Sequence, residues 1–239
     1  EVKRQNRELV TRTGNFKGKR ITVISTGMGT DNIDIVMNEL DALANIDLKT
    51  RQIKDTHRSL NIVRLGTSGA LQADIPVENS YVATRYAIGL DGLLYFYGGH
   101  EKVNEIAMRD AFISHMDYSD LLPKPYVVEA STALFDRLSG GYYEGFTATA
   151  SGFYAPQGRM LRAELAHPEN NHKIESFSFD GWRVCNFEME SSALYGLGKL
   201  MGHQCMTICV VVANRVNEQF CSDYHPYVKN LVYNTLERL

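Results

Sequence analysis

Met206-Thr207-Ile208-Cys209-Val210-Val211-Val212-Ala213 is the most apolar run of the sequence. A continuous run of this kind, rich in β-branched side chains, is typical of a strand that is buried on both faces of a sheet. Such strands occur in α/β proteins, where helices cover both faces. The run therefore predicts a central strand, with Asn214 and Arg215 at its carboxyl end.

Strand-like and helix-like segments alternate before and after this run. Apolar or alternating patterns predict further strands over residues 8–13, 20–25, 61–65, 80–88, 93–97, 126–129, 142–150 and 183–187. Apolar positions three and four residues apart predict helices over 31–44, 103–115, 131–138 and 224–239, and another between Glu190 and Gly202. The polar stretch 47–59 predicts a solvated connection. Together these segments predict a single α/β domain over residues 1–239, with a central mixed sheet flanked by helices.

The composition is that of an ordinary globular protein. The chain has 239 residues, 44% of them hydrophobic, a net charge of −3 and a sequence pI near 6.2. This balance gives no electrostatic basis for binding nucleic acid or a membrane surface, and no apolar run reaches the roughly 18 residues needed to span a bilayer. The four cysteines form no Cys-x-x-Cys pair, so we expect buried free thiols and a cytoplasmic protein. The histidines have no metal-ligand spacing, and we expect no metal site.

Residues 61–69 place a strand directly before glycines and hydroxyl side chains. The strand 61–65 runs into Gly66-Thr67-Ser68-Gly69, where we expect a turn, and Arg64 stands just before it. Outward-facing backbone N–H groups, hydroxyls and a guanidinium together form a suitable cradle for an anion such as phosphate. The alternative is an ordinary turn beside an exposed arginine.

Chemically capable side chains also follow three other predicted strands. Phe153, Gln157 and Arg159 follow strand 142–150, Glu188, Met189 and Glu190 follow strand 183–187, and Asn214 and Arg215 follow the central strand. Ligands of open α/β sheets bind beyond the carboxyl ends of strands, so we expect these groups to share one pocket. A carboxylate can accept sugar hydroxyls, an amide beside a guanidinium can bind the edge of a base, and an aromatic ring can stack on it.

Each of these groups also has a structural interpretation that leaves it without a function. The two glutamates would then stabilise a helix N-terminus through the helix dipole. Phe153 would belong to the core, and Gln157 and Arg159 would lie at a solvated helix start. From the residues alone, the sequence indicates an α/β enzyme for a phosphorylated or sugar-like ligand.

Several spaced motifs resemble the nucleoside phosphorylase superfamily, and within it the uridine phosphorylase branch. The matching stretches follow the order of the family and span nearly the whole chain: Arg7-Glu8, residues 25–32, Arg64-Leu65-Gly66-Thr67-Ser68-Gly69, Phe153-Tyr154-Ala155-Pro156-Gln157-Gly158-Arg159, residues 186–191 and Asn214-Arg215. The resemblance implies a three-layer phosphorylase/hydrolase-like fold and roles for the matching positions. Phosphate would be bound by Arg64, Gly66 and Thr67 together with Arg7 of a neighbouring subunit; ribose by Thr67, Met189 and Glu190; and the base by Ser68, Gly69, Phe153, Gln157, Arg159, Glu188 and Arg215.

The resemblance also implies an activity, which is the reversible phosphorolysis of uridine to uracil and ribose 1-phosphate. Catalysis would rest on Arg64, Thr67, Gln157, Arg159 and Glu190, with inorganic phosphate as co-substrate and no metal or organic cofactor. Purine-specific relatives carry an aspartate after the last core strand, and residues 213–217 hold no acid here, which favours a pyrimidine. A purine phosphorylase, a nucleosidase or a non-catalytic nucleoside-binding homologue are the alternatives. A homo-oligomer, either a dimer or a hexamer of dimers, is expected.

Two features depart from the family pattern. The family begins with a strand and a first phosphate loop ahead of the segment that holds Arg7, and we expect that both precede Glu1 in a longer chain. Ala155-Pro156 replaces the more usual Pro-Gly or Glu-Gly of the base loop, which is expected to alter its stiffness.

Overall fold

The computed structural model of the protein describes residues 1–7 and 9–239. Within these ranges the strands are β1 (Val2–Asn6), β2 (Leu9–Phe16), β3 (Lys19–Ile24), β4 (Ile46–Asp47), β5 (Gln52–Ile53), β6 (Asn61–Ala70), β7 (Tyr81–Gly89), β8 (Tyr126–Glu129), β9 (Tyr143–Thr149), β10 (Ser178–Phe179), β11 (Trp182–Glu188), β12 (Gln204–Asn214) and β13 (Gln219–Phe220). The α-helices are α1 (Thr30–Asn45), α2 (Ile106–Met116), α3 (Thr132–Leu138), α4 (Asn170–Ser176), α5 (Ser191–Leu200) and α6 (His225–Arg238).

Five strands of the main sheet close into a ring, in the order β12, β6, β11, β9 and β7, because β7 pairs with both β9 and β12. β6 and β12 are parallel to each other, whereas β7, β9 and β11 run the opposite way. The predicted central strand is confirmed as β12, whose residues 205–211 are all buried.

Helices pack on both sides of the sheet, so the predicted mixed α/β architecture is confirmed. On one side the core joins α1, α3, α5 and α6 to alternate residues of β7 and β12. On the other side α2 and α4 pack against β9 and β11. β8 contributes to both cores, with Tyr126 and Val128 facing the first and Val127 facing the second, as expected of a strand covered on both faces.

The predicted strand over residues 93–97 is wrong. Leu93–Phe96 forms a 3₁₀ turn, and the chain enters it through Gly92, whose φ of 73° is left-handed. One edge of β7 is occupied by β9, and the other is shared by β12 and β8. Residues 93–97 therefore find no free edge on β7, and Leu94 is instead buried in the core.

At the chain's beginning, β1 forms from a charged run for which no strand was predicted. β1 pairs antiparallel with β2, and β2 with β3, in a separate three-stranded sheet. Glu8, the first residue of the first predicted strand, lies outside the described residues. The predicted solvated connection 47–59 is exposed at every residue, and β4 and β5 form only a two-residue pair.

The predicted turn at Gly66-Thr67-Ser68-Gly69 is also wrong, because β6 continues through it to Ala70. β12 pairs with β6 from Asn61 to Ala70, which holds this segment extended. Arg64 therefore lies in the middle of β6 rather than at its carboxyl end.

Candidate active site

The first part of the site forms where β11 ends beside β6. These two strands are antiparallel and pair only at Phe187↔Gly69 and Asn186↔Ala70. The chain after β11 therefore runs back along β6 toward Arg64. This register brings Glu188 and Glu190 to the Arg64 guanidinium: Nη1 lies 3.0 Å from a Glu188 oxygen, and Nη2 donates to Glu190.

Gly66 supplies the space that Arg64 requires. Residues two apart on a strand share a face, so a side chain at position 66 would project beside that of Arg64. A Cβ added at Gly66 would lie 2.9 Å from the Arg64 guanidinium. The glycine thus serves close packing of the arginine side chain, not a turn.

Glu190 joins the site to the loop before α1. Its side chain is only 7% exposed, and its Oε1 accepts the Gly29 N–H at 2.7 Å. Burial raises the pKa of Glu190 above its ordinary value; the Arg64 cation opposes the shift, and the neighbouring Glu188 adds to it.

Glu188 is held on several sides at the start of α5. It accepts from the Thr149 hydroxyl at 2.7 Å and from the backbone N–H groups of Glu190 and Ser191 at 3.0 and 2.9 Å. The interpretation of Glu188 as a helix-start residue is therefore correct, and the same carboxylate also pairs with Arg64. No hydrogen bond or ion pair among the described residues joins its side chain to the base loop 153–159, and the role of Glu188 in base binding stays a prediction.

A second part of the site forms around Gln157. The side chain of this residue is buried, and its Oε1 accepts from Arg159 at 2.7 Å and from Arg215 at 3.1 Å. The alternative of a solvated helix start is wrong for Gln157. Asn171 on α4 donates to its backbone carbonyl at 3.0 Å and packs where any side chain at Gly158 would clash.

Phe153 lies on the outer side of this second part. The Arg159 guanidinium stands 3.8 Å from the centre of its ring, a cation–π contact. The ring is 51% exposed, so the interpretation of Phe153 as a core residue is wrong. The exposed ring is available to a ligand.

The Gln157 cluster is cationic. Burial and, to a smaller extent, the nearby Arg159 cation together lower the pKa of Arg215 to about 10. Among the residues that the structure describes, no carboxylate bonds to either guanidinium; their partners are the oxygens of Phe153 and Gln157. The cluster is therefore suited to a group that gains negative charge, whereas Arg64 is already balanced by two carboxylates.

Strand β6 links the two parts. Gly69 lies beside Arg215, whose Nε would be 3.8 Å from a Cβ at that position. Ser68 is buried next to it, and its hydroxyl has no hydrogen-bond partner within residues 1–7 and 9–239. From Arg64 to Gly69 the strand spans about 17 Å at roughly 3.3 Å per residue. The site thus suits an elongated ligand with chemically different ends.

Three other predicted site residues lie at the edges of this arrangement. Thr67 is exposed on β6 between the two parts, and Met189 is half-buried between the two glutamates. Arg7 lies in the exposed turn after β1, and no contact among the described residues joins it to Arg64.

The motifs gave no role to three residues that the structure brings into the site. Thr149, at the end of β9, bonds to Glu188; Gly29 bonds to Glu190; and Cys209 on β12 lies 3.3 Å from Arg64 Nη1. The available signals were that Gly29 belongs to a matching stretch and that Thr149 lies four residues before the base loop 153–159. Nothing local marked Cys209, because it reaches Arg64 only through the pairing of β12 with β6.

Two of the histidines meet an acid at the C-terminal end of α1. The rings of His57 and His203 stack with centroids 5.8 Å apart, and His203 Nε2 lies 3.2 Å from Asp41. His203 Nδ1 accepts the Leu60 N–H at 3.2 Å. The ring is therefore neutral, with its single proton on Nε2 facing Asp41, and burial lowers the pKa of His203, so the pair is a polar contact rather than an ion pair.

All four cysteines are free in the described chain. Cys185, Cys205 and Cys209 are buried, and Cys221 is partly buried. Among the described residues, none of the helices is both long enough and apolar enough to cross a bilayer.

The fold and the site are those of a phosphorylase. The chain belongs to the phosphorylase superfamily, because the model of that family matches residues 1–228. The chain is 30% identical over 221 residues to the uridine phosphorylase of Thermococcus kodakarensis, a match that covers 90% of this chain and 65% of the relative. It is 28% identical to a DeoD-type purine nucleoside phosphorylase of Bacillus cereus over 83% of this chain and 66% of the relative. The chain thus spans slightly less than two thirds of these curated relatives.

Two solved structures are also similar. A Trypanosoma brucei nucleoside phosphorylase, described as having uridine phosphorylase activity, superposes with a TM-score of 0.81 at 30% identity and covers all of this chain and 85% of its own. A uridine phosphorylase structure from Phytophthora capsici superposes with a TM-score of 0.63 at 20% identity, over 96% of this chain and 78% of its own, and supports the fold.

Proposed function

We propose that the protein catalyses the reversible phosphorolysis of uridine to uracil and ribose 1-phosphate, as a pentosyltransferase. The observation that carries the proposal is the arrangement along β6. Arg64, Glu188 and Glu190 meet at one position, and Gln157, Arg159 and Arg215 meet beside Gly69 further along the strand. At the first position the guanidinium suits phosphate and a carboxylate suits the ribose hydroxyls. At the second position the amide and guanidinium groups supply hydrogen-bond donors for a base.

In the proposed reaction, a phosphate oxygen attacks the anomeric carbon of the ribose. The bond from that carbon to the base nitrogen breaks, and its electron pair leaves with the uracil. Arg64 and Thr67 hold the nucleophile, and Glu190 orients the ribose through its hydroxyls, which brings the reacting atoms together. Arg159 and Arg215 face the charge that develops on the base. Phosphate serves as co-substrate, and the scheme uses no metal ion or organic cofactor because the attacking group is already an anion.

Base selection in the proposal rests on hydrogen-bond donors without an acid. Gln157, Arg159 and Arg215 present guanidinium and amide groups to the carbonyl oxygens of uracil. Asn214 is the last residue of β12, just before the segment in which purine relatives carry their acid. Its amide is fully used in holding backbone, donating to Gln72 and Ile75 and accepting from residues 216 and 217. A purine nucleoside is the second candidate, supported by the 28% identity to a purine phosphorylase.

The assay uses uridine, thymidine, inosine and adenosine, each with and without inorganic phosphate, and follows the free base. We expect release of uracil that depends on phosphate. Release of uracil without phosphate would indicate a nucleosidase, and faster cleavage of inosine than of uridine would indicate the purine branch. An Arg64→Ala variant serves as the matched control for phosphate dependence.

The proposal extends to a cytoplasmic homo-oligomer in which Arg7 completes a neighbour's phosphate site. Arg7 is exposed in the turn after β1, outside the five-stranded ring. A residue that contacts a neighbouring subunit's site has to be exposed in this way. Arg7→Ala and Arg64→Ala should each be nearly inactive, whereas a refolded mixture should recover part of the activity, since mixed oligomers contain some intact sites. A mixture as inactive as its components, or a monomer by light scattering, would contradict this arrangement.

A further inference from the structure

Glu188 is a buried carboxylate for which the proposed reaction has no direct use. It is 4% exposed. Its Oε1 accepts from Thr149 and Ser191, and its Oε2 accepts from Glu190 and Ser191 and contacts Arg64. With both oxygens occupied in this way, the carboxylate is placed to hold the guanidinium rather than to bind substrate.

The hydrogen bond from Thr149 has a defined direction. A threonine hydroxyl has one proton to donate. Its oxygen already accepts the Ser192 N–H at 3.1 Å, and a backbone N–H can only donate. The hydroxyl proton of Thr149 therefore points to Glu188 Oε1, 2.7 Å away. Thr149 is completely buried, so water does not compete for this bond.

The contacts form a continuous path from the end of β9 to the site. Thr149 orients Glu188, and Glu188 Oε2 faces Nη1 of Arg64 at 3.0 Å. Nη2 of the same planar group donates to Glu190. A rotation of the Glu188 carboxylate would therefore turn the guanidinium as a rigid fork, whereas Glu190 would stay held by the Gly29 N–H.

We propose that Thr149 is a positioning residue for phosphate binding, which acts on Arg64 through Glu188. This inference rests on the assignment of Arg64 to phosphate in the proposed function. Removing a hydrogen bond to a charged group typically weakens affinity by about 10- to 100-fold. Thr149→Val should thus weaken phosphate binding by this factor and change uridine binding much less.

Thr147 provides a matched control on the same strand. It lies two residues before Thr149 on the same face and is equally buried. It also bonds to the residue opposite it on β11, since its hydroxyl lies 2.7 Å from Asn186 Oδ1. Neither Thr147 nor Asn186 has a described contact with Arg64. Thr147→Val therefore reproduces the loss of a buried hydroxyl without the connection to the guanidinium.

The experiment titrates inorganic phosphate into the wild type, Thr149→Val, Thr149→Ser and Thr147→Val by isothermal calorimetry, and measures the KM values for phosphate and uridine separately. We expect a 10- to 100-fold weaker phosphate Kd for Thr149→Val, a parallel rise in the phosphate KM, and less than a 3-fold change in the uridine KM. Thr149→Ser, which keeps the hydroxyl, and Thr147→Val should stay within 3-fold of the wild type.

An unchanged phosphate Kd in Thr149→Val, or an equal loss in Thr147→Val, would overturn the inference. If Thr149→Val does not fold, the phosphate Kd values of Thr149→Ala and Thr147→Ala are compared in the same way. A wild type that binds phosphate but releases no uracil would refute the proposed function, while the Kd ratios still decide the role of Thr149. A wild type that binds no phosphate would overturn both.

Discussion

Replacing Arg64 by lysine tests whether its planar fork is what joins the two glutamates. In the structure Nη1 faces Glu188 at 3.0 Å and Nη2 donates to Glu190. A lysine ammonium keeps the charge but is a single point, so it can serve only one carboxylate well. Glu188 retains Thr149 and two backbone N–H groups, and the loss therefore falls on Glu190.

The magnitude follows from burial. The Arg64 side chain is 14% exposed and that of Glu190 is 7% exposed, so solvent screens this pair little. Losing one charge-assisted hydrogen bond between them should lower the free energy of unfolding by about 2–3 kcal/mol at pH 8. The phosphate KM should rise by at least about 30-fold, because the same fork is assigned to phosphate.

The loss should depend on pH in a defined direction. Burial holds the folded-state pKa of Glu190 above its ordinary value of 4.5, and Arg64 partly offsets this shift. A group whose folded pKa is raised contributes stability below its unfolded pKa and loses it as pH rises through the folded pKa. Without the guanidinium fork the folded pKa rises further, so the stability of Arg64→Lys should fall over a wider pH range above 4.5 than that of the wild type.

Urea denaturation between pH 4.5 and 8 measures this difference. Arg85→Lys is the matched control: Arg85 pairs with Glu129, whose side chain is 25% exposed and has Lys199 as a second cation 3.8 Å away. Its unfolding free energy should change by less than about 1 kcal/mol. An Arg64→Lys variant within about 0.5 kcal/mol of the wild type at pH 8, with an unchanged phosphate KM, would refute the reasoning.

Three further substitutions test other parts of the structure. Gln157→Ala should reduce uridine turnover by roughly 10- to 1000-fold, since it removes the amide that organises two guanidinium groups; steady-state kinetics with unchanged turnover would mean that the base loop is assigned wrongly. Phe153→Leu should raise the uridine KM by about 3- to 10-fold through loss of the cation–π contact with Arg159, with no effect on the phosphate KM; an equal rise in both would point to a general loop distortion. Gly145→Ala should lower the free energy of unfolding by about 2 kcal/mol or more, because its Cβ would overlap a backbone carbonyl on β11. Gly140→Ala, where a Cβ has nothing within 4 Å, is the control in urea denaturation, and equal losses would contradict the packing argument.

The two parts of the site differ in their electrostatic design. Arg64 is compensated by Glu188 and Glu190, which fixes its geometry and lowers its net positive potential. Arg159 and Arg215 have no carboxylate partner among the described residues and retain their charge. In the proposed reaction the first arrangement orients groups that are already charged, and the second meets charge that appears only as the bond breaks.

The sequence by itself determined the elements that depend on local pattern. The apolar run of β12, the apolar stripe of α1 and Ser131 at the start of α3 were all predicted correctly; the Ser131 hydroxyl accepts the Leu134 N–H at 3.4 Å. The chemically important side chains could also be named, since Phe153, Gln157 and Arg159 are close in sequence and come together in one loop. Local propensity and short spacing are encoded within a few residues, so they can be read without the fold.

Tertiary structure alone decided where Arg64 lies and what surrounds it. Gly66 and Gly69 have the signature of a turn, yet pairing with β12 keeps β6 extended through them. The contact between Arg64 and Glu190 spans 126 residues, and it exists because β11 and β6 pair only at their ends. Strand register depends on partners far away in the chain, and a local pattern does not specify them. The sequence therefore named the groups of the candidate site, and the register of β6 with β11 and β12 brings them together.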